Sequence, residues 1–256
     1  MEAIVGWAIL GLTIGCIGTM IGAGGGFLLI PILLHVFPNE TAERITAISM
    51  AVVLANAASG SLAYGRLRRI DYASGWRFLA SAFPGALLGA HVTSYITRLV
   101  FDRLAGITLI CIALFLLWRV RHPAPVPHES HATLVQKRRI GMLLSAFVGF
   151  ISSCLGIGGG IIHVPALIYL LSFPVHVATA TSHFVLAGTS LTAVLEHLFS
   201  ADYKGLEQQT LLLACGAVLG AQLGAKLSHR IDGTVIIRGL AIATILVGLR
   251  LILYTL

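Results

Sequence analysis

The chain has 256 residues, of which 57% are hydrophobic and only 11% are charged, whereas soluble domains carry roughly 25% charged residues. This composition predicts a protein embedded in a lipid bilayer and argues against a soluble globular domain. The net charge of +7 does not indicate a nucleic-acid partner, because the Lys and Arg residues lie in short tracts between apolar segments and not along one face.

The first half, residues 1–120, contains five apolar segments, which are predicted to be helices near 3–21, 25–37, 42–64, 72–96 and 101–119. No basic stretch or small-residue cleavage site marks the first segment as a removable signal peptide, so we assign it to the fold. The second segment has about 13 residues and would reach roughly 20 Å as a helix, which is too short to span a bilayer. We therefore expect a broken or re-entrant helix there.

Residues 121–138 are predicted to form a linker between two halves. They contain Pro123, Pro125 and Pro127 and have basic residues towards both ends, a composition typical of solvated irregular chain. His128 and His131 are interpreted as polar linker residues and not as metal ligands.

The second half, residues 139–256, repeats this pattern, with apolar segments near 139–155, 159–172, 176–199, 208–228 and 233–254. A glycine-rich motif occurs in both halves: Gly22-Ala23-Gly24-Gly25-Gly26 followed by Pro31, and Gly156-Ile157-Gly158-Gly159-Gly160 followed by Pro165. Further matches follow in the same order, between 47–49 and 180–182 and between 85–90 and 216–221. The sequence therefore predicts a duplicated unit of about 120 residues.

The basic residues predict the orientation, because cytoplasmic loops collect Lys and Arg. The linker is predicted to be cytoplasmic, as is the loop that contains Arg66, Arg68 and Arg69. If the first two segments of each half pair as a hairpin, the halves are inverted; if each pair forms one broken span, they are parallel. The charges favour inversion slightly, and inverted repeats built around discontinuous helices are a recurrent transporter design. The predicted fold is an all-α polytopic membrane protein with two inverted repeats.

The glycine runs expose backbone N–H groups at the start of the second segment of each half, where the positive end of a helix dipole suits an anion. We expect the two turns to face each other near the membrane centre. The predicted substrate-binding glycines are Gly24, Gly25, Gly26, Gly158, Gly159 and Gly160. Close helix packing is the alternative, and it is the preferred interpretation of other glycines spaced four apart, namely Gly85, Gly89, Gly216, Gly220 and Gly224.

The third segment of each half carries a polar stripe on one helical face. The stripe consists of Ser49, Asn56 and Ser59 in the first half, and of Ser182, Thr189 and Thr192 in the second. Neutral donors would hold an anion weakly enough to release it, so the stripe residues predicted to bind substrate are Ser49, Asn56, Ser182 and Thr189. Hydrogen bonding between helices is an equally good interpretation of the stripe.

Two histidines are predicted to lie inside the membrane, His163 in the second short segment and His183 in the polar stripe. Ionisable residues at membrane depth usually face a cavity. Both are therefore candidates for proton coupling or for pairing with an anion.

Several chemistries are not expected from this sequence. It has no G-x-x-x-x-G-K-[ST] motif and no glycine pattern of a dinucleotide fold. The four cysteines lie in apolar segments without C-x-x-C spacing, which argues against a disulfide framework or a metal site; they are Cys16, Cys111, Cys154 and Cys215. We expect no cofactor, no metal and no enzyme activity.

These motifs resemble those of the sulfite exporter TauE/SafE family. The resemblance rests on the doubled G-x-G-G-G-x-x-x-x-P, the stretch from Ser49 to Asn56, and Pro84-Gly85-Ala86 with Gly89, and it covers nearly the whole chain outside the linker. It implies a multi-pass permease of the bacterial inner membrane that exports sulfite, sulfoacetate or a related sulfur-containing anion. The second half has Thr189 where the first has Asn56, so we expect an asymmetric site.

The predicted function is secondary transport, by export, of a small sulfur-containing anion across a lipid bilayer. One alternative is import of a related sulfur anion by the same fold, and another is a membrane sulfur-transfer protein that uses Cys16 or Cys154. The substrate, proton coupling and assembly into a homo-oligomer are left open by the sequence.

Overall fold

The computed structural model describes residues 2–121, 131–200 and 202–228, and residues 238, 241, 242, 244–246 and 248–250 near the end of the chain. Within the three continuous ranges the backbone forms nine α-helices and no strand, which confirms the predicted all-α class. The helices are α1 (Glu2–Ile21), α2 (Gly26–Val36), α3 (Ala42–Arg66), α4 (Tyr72–Thr93), α5 (Arg98–Arg121), α6 (His131–Leu155), α7 (Gly160–Tyr169), α8 (Val175–Phe199) and α9 (Glu207–Leu227).

The helix boundaries lie close to those of the predicted apolar segments, except at the linker. Helix α6 begins at His131, so the prediction of irregular chain up to residue 138 is wrong. No Pro or Gly lies between residues 131 and 139 to end the helix. The remaining linker residues, 122–130, lie outside the described residues, and the described positions of the predicted segment 233–254 are helical.

The described helices begin in different ways. The Thr41 hydroxyl accepts a hydrogen bond from the Arg44 amide before α3, and the Asp71 carboxylate accepts one from the Ser74 amide before α4, as is usual at helix starts. Helices α2 and α7 instead follow glycine, and no side chain caps either of them. The first amides of these two short helices therefore depend on other partners.

The distribution of side chains is that of a membrane protein. Helices α3, α8 and α9 are long and apolar enough to cross a bilayer, and α1, α2, α6 and α7 contain shorter apolar stretches. Large apolar side chains such as those of Leu88, Leu143 and Leu219 are exposed, whereas Asn56 and His183 are fully buried. An apolar surface around a polar interior is expected where lipid replaces water as the solvent.

The two halves exchange helix partners. Helix α1 packs along α9, and α6 packs along α4, so the first helix of each half lies against the fourth helix of the other. The third helices, α3 and α8, pack against each other at the centre, and each also contacts the other half's fourth helix. The core of each half is therefore completed by the other.

Glycines set the distance between the exchanged helices. A Cβ on Gly220 would overlap the carbonyl oxygen of Leu12, and a Cβ on Gly85 would overlap that of Ala146. The packing interpretation of these glycines is confirmed. Leu12 and Ala146 occupy corresponding positions of the two halves, 134 residues apart. Since Gly220 contacts Leu12 and Gly85 contacts Ala146, Gly85 and Gly220 are the corresponding glycines in the structure. The sequence match, which pairs Gly85 with Gly216, is displaced by one helical turn.

Each short helix returns along the helix before it. The rings of Trp7 in α1 and Phe37 after α2 stack with centroids 5.8 Å apart. In the second half, a Cβ on Gly141 in α6 would lie 3.0 Å from Leu171, just after α7. Helices α1 and α2, and α6 and α7, thus form two hairpins whose glycine turns, residues 22–26 and 156–160, are buried.

Candidate functional site

The two glycine turns meet in the interior of the protein. A Cβ on Gly26 would lie 2.6 Å from the carbonyl oxygen of Gly156, and a Cβ on Gly160 would overlap that of Gly22. The turns face each other as predicted, but they are in direct contact. The expectation of a ligand space between them is therefore wrong for this conformation.

Left-handed backbone makes glycine necessary within both turns. The φ angles of Gly24 and Gly25 are 73° and 83°, and that of Gly158 is 80°, a region that other residues rarely adopt. Gly159, by contrast, has a right-handed φ of −60°. The two turns therefore share a sequence motif but differ in the backbone at the start of the helix.

The serines of the polar stripe hold the opposite turn. The Ser49 hydroxyl donates to the carbonyl oxygen of Gly156 at 2.6 Å, and the Ser182 hydroxyl donates to that of Gly22 at 3.5 Å. Both contacts join one half to the other. For these two serines the structure gives the interhelical role that the sequence left as an alternative.

The backbone amides of the two turns are used differently. In the first turn, the amides of Ala23 and Gly24 donate to the Gly18 carbonyl oxygen at 2.8 and 3.3 Å, and the Gly22 amide donates to Thr19 at 3.1 Å. The amides of residues 25–27 and 159–161, at the start of the two short helices, donate none of the hydrogen bonds that the described residues make outside their helices; the second turn differs because residues 156–158 donate none either. The second turn therefore offers more unpaired donors.

A small cavity of about 10 Å³ lies beside the second turn. It brings together five of the predicted site residues, namely Gly159, Gly160, His163, Ser182 and Thr189. The remaining lining residues are Ala82, Ser145, Val148, Gly149, Ser152, Val185 and Leu186. No charged residue other than the titratable His163 lines it. This volume is at the lower limit for one water molecule.

Ser145 and Ser152 are cavity residues that the sequence analysis missed. The Ser145 hydroxyl lies 3.0 Å from Nε2 of His163 and donates to the Gly141 carbonyl oxygen at 2.7 Å. Ser152 and His163 are each only 2% exposed. Among the hydrogen bonds of the described residues, none involves the Ser152 hydroxyl or Nδ1 of His163. Both side chains line the cavity.

Asn56 and His183 belong to a separate buried network. The Asn56 amide donates to the Gly15 carbonyl oxygen at 2.8 Å, and its Oδ1 accepts from the Thr19 hydroxyl at 3.1 Å. Since Thr19 donates its only hydrogen to Asn56, Nε2 of His183 must donate to the Thr19 oxygen, 3.3 Å away. Nδ1 of His183 makes no hydrogen bond of normal geometry to a described group, although the ring interacts with the backbone of Gly22. This network joins α8 to the end of α1.

The predicted site residues thus fall into three groups. Gly24, Gly25 and Gly26 lie in the first turn and Gly158 lies in the second, while Ser49 binds the second turn. Five predicted residues line the cavity, and Asn56 and His183 form the network with Thr19. The four cysteines form no disulfide. The described residues contain no cluster of His, Cys, Asp and Glu that could hold a metal ion.

The sequence is similar to proteins named as probable membrane transporters. The family described as Sulfite exporter TauE/SafE matches residues 7–251. The chain is 31% identical to the "Probable membrane transporter protein YunE" of Bacillus subtilis over 95% of both chains. It is 25% identical to a "Probable membrane transporter protein" of Methanocaldococcus jannaschii, over 88% of this chain and 86% of the relative. It is 27% identical to one of Haemophilus influenzae, over 81% and 78%. No solved structure matches the chain significantly.

Proposed function

Because the chain belongs to the sulfite exporter TauE/SafE family, we propose that it is a secondary transporter of a small sulfur-containing anion. The substrate is an anion such as sulfite or sulfoacetate, and the direction is export across the bacterial inner membrane. The observation that carries this proposal is the buried start of α7, where the amides of residues 156–161 are unpaired beside a polar cavity. Free amides at a helix N-terminus favour an anion.

The proposal includes two inverted repeats joined by a cytoplasmic linker. The exchange of α1 and α6 between the halves supports it, as do the two hairpins and the serines that each bind the opposite turn. Reciprocal contacts of this kind are expected when two related halves interlock around a pseudo-two-fold axis in the membrane plane. The excess of basic residues at the linker supports its cytoplasmic side.

Transport requires the buried turns to separate. The cavity beside the second turn is too small for a sulfur oxyanion, and the turns themselves are in contact. The Ser182 bond to Gly22, at 3.5 Å, is at the long limit for a hydrogen bond, whereas the Ser49 bond to Gly156 is short at 2.6 Å. We therefore infer that α8 moves away from the first turn more readily than α3 moves away from the second.

Proton coupling through His183 is a further part of the proposal. Its Nδ1 is a buried position that can accept a proton, and a charged ring there would attract an anion. Exchange of a proton with the bulk requires the same opening that admits substrate. Anion and proton would then move in one conformational cycle.

Flux measurements with purified protein test the function. Proteoliposomes loaded with labelled sulfite or labelled sulfoacetate should lose one of these anions faster than protein-free liposomes, and a pH gradient should change the rate. Gly159→Leu would place a side chain against Val148 and Ser152 and fill the cavity, so it should reduce flux to background. Gly6→Leu is the matched control, because no described atom lies within 4 Å of an added Cβ there. Flux no greater than that of protein-free liposomes would overturn the proposal.

The direction is tested in cells. Bacteria that express the protein should accumulate less labelled sulfite than cells carrying an empty vector, and the Gly159→Leu variant should behave like the vector. Higher accumulation in the expressing cells would show import, and would reverse the proposed direction without affecting the proposed site.

A further inference from the structure

We propose that the substrate anion binds in one half only, in the pocket beside the second glycine turn, and that the corresponding place beside the first turn is filled and structural. The proposal rests on the proposed anion transport and narrows it to one binding site. That site consists of the amides at the start of α7 and the side chains of Ser145, Ser152 and His163.

The two places can be compared position by position. The turns correspond at a separation of 134, as Gly26 and Gly160 do, and each of these glycines contacts the opposite turn. Five polar residues line the pocket. Ser182 and Thr189 have the polar counterparts Ser49 and Asn56, at a separation of 133. Ser145, Ser152 and His163 correspond, at a separation of 134, to Gly11, Gly18 and Leu29. The part of the polar lining that α6 and α7 supply therefore belongs to the second half alone.

The first turn is pressed directly onto α1. A Cβ on Gly18 would overlap the amide nitrogen of Gly25, and a Cβ on Gly25 would lie 2.6 Å from Cγ2 of Ile14. Leu29, the counterpart of His163, is completely buried in the main apolar core. These contacts leave no room for a ligand on the α1 side of the first turn.

The second turn is held away from α6 by a layer of side chains. A Cβ on Gly159 would meet Cγ1 of Val148 at 2.8 Å and Cβ of Ser152 at 3.1 Å. These are side-chain atoms, which can shift to widen the pocket. A Cβ on the counterpart, Gly25, would meet Cγ2 of Ile14 at 2.6 Å but also the Ile14 carbonyl oxygen at 2.9 Å, which is backbone. The difference between Ser152 and Gly18 is thus one structural origin of the pocket.

The polar groups of this pocket are those that a ligand would satisfy. The Ser152 hydroxyl, Nδ1 of His163 and the amides of residues 156–161 make no hydrogen bond to described protein groups. In the first turn, the amides of residues 22–24 are bonded to carbonyl oxygens of α1, whereas those of residues 25–27 donate no such bond. Polar groups in a buried cavity normally find a partner, and the proposal assigns the anion as the partner of those gathered here.

The donor chemistry selects a small oxyanion. Amides and the Ser152 hydroxyl donate to oxygen. Since Ser145 donates its only hydrogen to Gly141, Nε2 of His163 donates to the Ser145 oxygen, and Nδ1 donates to an anion when the ring is protonated. The pocket of about 10 Å³ must widen on binding, and the smallest widening accommodates a compact inorganic oxyanion. Of the two proposed substrates, sulfite fits this description better than the longer sulfoacetate.

Binding of labelled sulfite to purified protein tests the proposal, with flux in proteoliposomes as a second readout. Ser152→Ala removes an unpaired hydroxyl and should leave the fold intact, while His163→Leu gives the second half the residue of the first. Each should weaken sulfite binding roughly tenfold or more, as expected for loss of a hydrogen bond to a charged group. Sulfite should also raise the Tm of the wild type, and raise it less in both variants.

Two matched controls complete the experiment. Ser153→Ala removes the hydroxyl of the next residue along α6, which is buried and unpaired but does not line the pocket. Leu29→Met makes a conservative change at the counterpart of His163. Both should bind sulfite as the wild type does.

The possible results separate this inference from the proposed function. If Ser152→Ala and His163→Leu bind sulfite as tightly as the wild type does, or if Leu29→Met weakens binding to the same extent, the one-sided site is wrong. The proposed transport is unaffected by either result. Tighter binding of sulfoacetate than of sulfite overturns the selection of a compact oxyanion. A wild-type protein that neither binds nor transports either anion overturns the proposed function, and this inference with it.

Discussion

Gly160→Ala tests whether contact between the two glycine turns stabilises the protein. The added Cβ would overlap the Gly22 carbonyl oxygen and lie 2.7 Å from Cα of Ala23. Both are backbone atoms, so no side-chain rotation relieves the overlap. The φ of Gly160 is not positive, so alanine itself is unstrained there and the effect is purely steric. Overpacking of this kind destabilises a fold by about 1–3 kcal/mol, which corresponds to a fall in Tm of roughly 2–12 °C.

The measurement is the fraction of purified protein that stays monodisperse in size-exclusion chromatography after heating in detergent. Gly6→Ala is the matched control, because the same substitution in α1 meets no described atom within 4 Å. Its improved helix propensity, worth about 0.5–1 kcal/mol, should maintain or raise the Tm. If the two variants melt together, the turns are not packed against each other and the steric reasoning fails.

Three further predictions concern the charge of the substrate, one loop and the cysteines. No Arg, Lys, Asp or Glu lines the cavity, and the double charge of sulfate would need compensation if it were buried there. Proteoliposomes under mildly acidic conditions should therefore transport sulfate far more slowly than sulfite; equal rates would contradict this. The Tyr203 hydroxyl donates to the Ala47 carbonyl oxygen at 3.1 Å, and burial, followed by the charge of Asp202, raises the pKa of Tyr203. An unfolded tyrosine loses its proton near pH 10 while the folded one keeps it, so stability should fall as the pH rises above about 10. Tyr203→Phe should make that fall smaller and cost about 1 kcal/mol at neutral pH, as thermal unfolding at a series of pH values would show; an unchanged alkaline profile would count against it. Transport should survive simultaneous replacement of all four cysteines by alanine, and its loss would favour the sulfur-transfer alternative.

Segment length and apolarity predict most of the helices, because each apolar segment in this chain ends at polar or glycine-rich sequence. They fail at α6, where basic residues before 139 continue the helix despite their charge. The sequence match between 85–90 and 216–221 is displaced by one helical turn from the correspondence in the structure, because small residues recur every four positions in both helices. A shift of one turn therefore preserves the sequence pattern, and only the contacts of Gly85 and Gly220 decide between the registers.

Comparison of the halves predicts the candidate site only where both halves share a residue type, and His163 was predicted instead from its ionisable side chain in an apolar segment. The glycine turns and the Ser49 and Ser182 pair recur, so comparison of the halves finds them. Ser145 and Ser152 stand where the first half has glycine, and a search for repeated polar residues passes over them. A search for positions where the halves differ in polarity would have found both. The network of His183 with Thr19 depends on how the halves interlock, which the sequence pattern does not contain.

The exchange of helices has a consequence for biosynthesis. Helix α1 packs against α9, which is synthesised about 200 residues later. Until then the glycine-lined face of α1 must be covered by lipid or by an insertion chaperone. Premature termination before α9 would leave this face permanently open, so quality-control proteases should recognise such fragments even though most of their helices can insert.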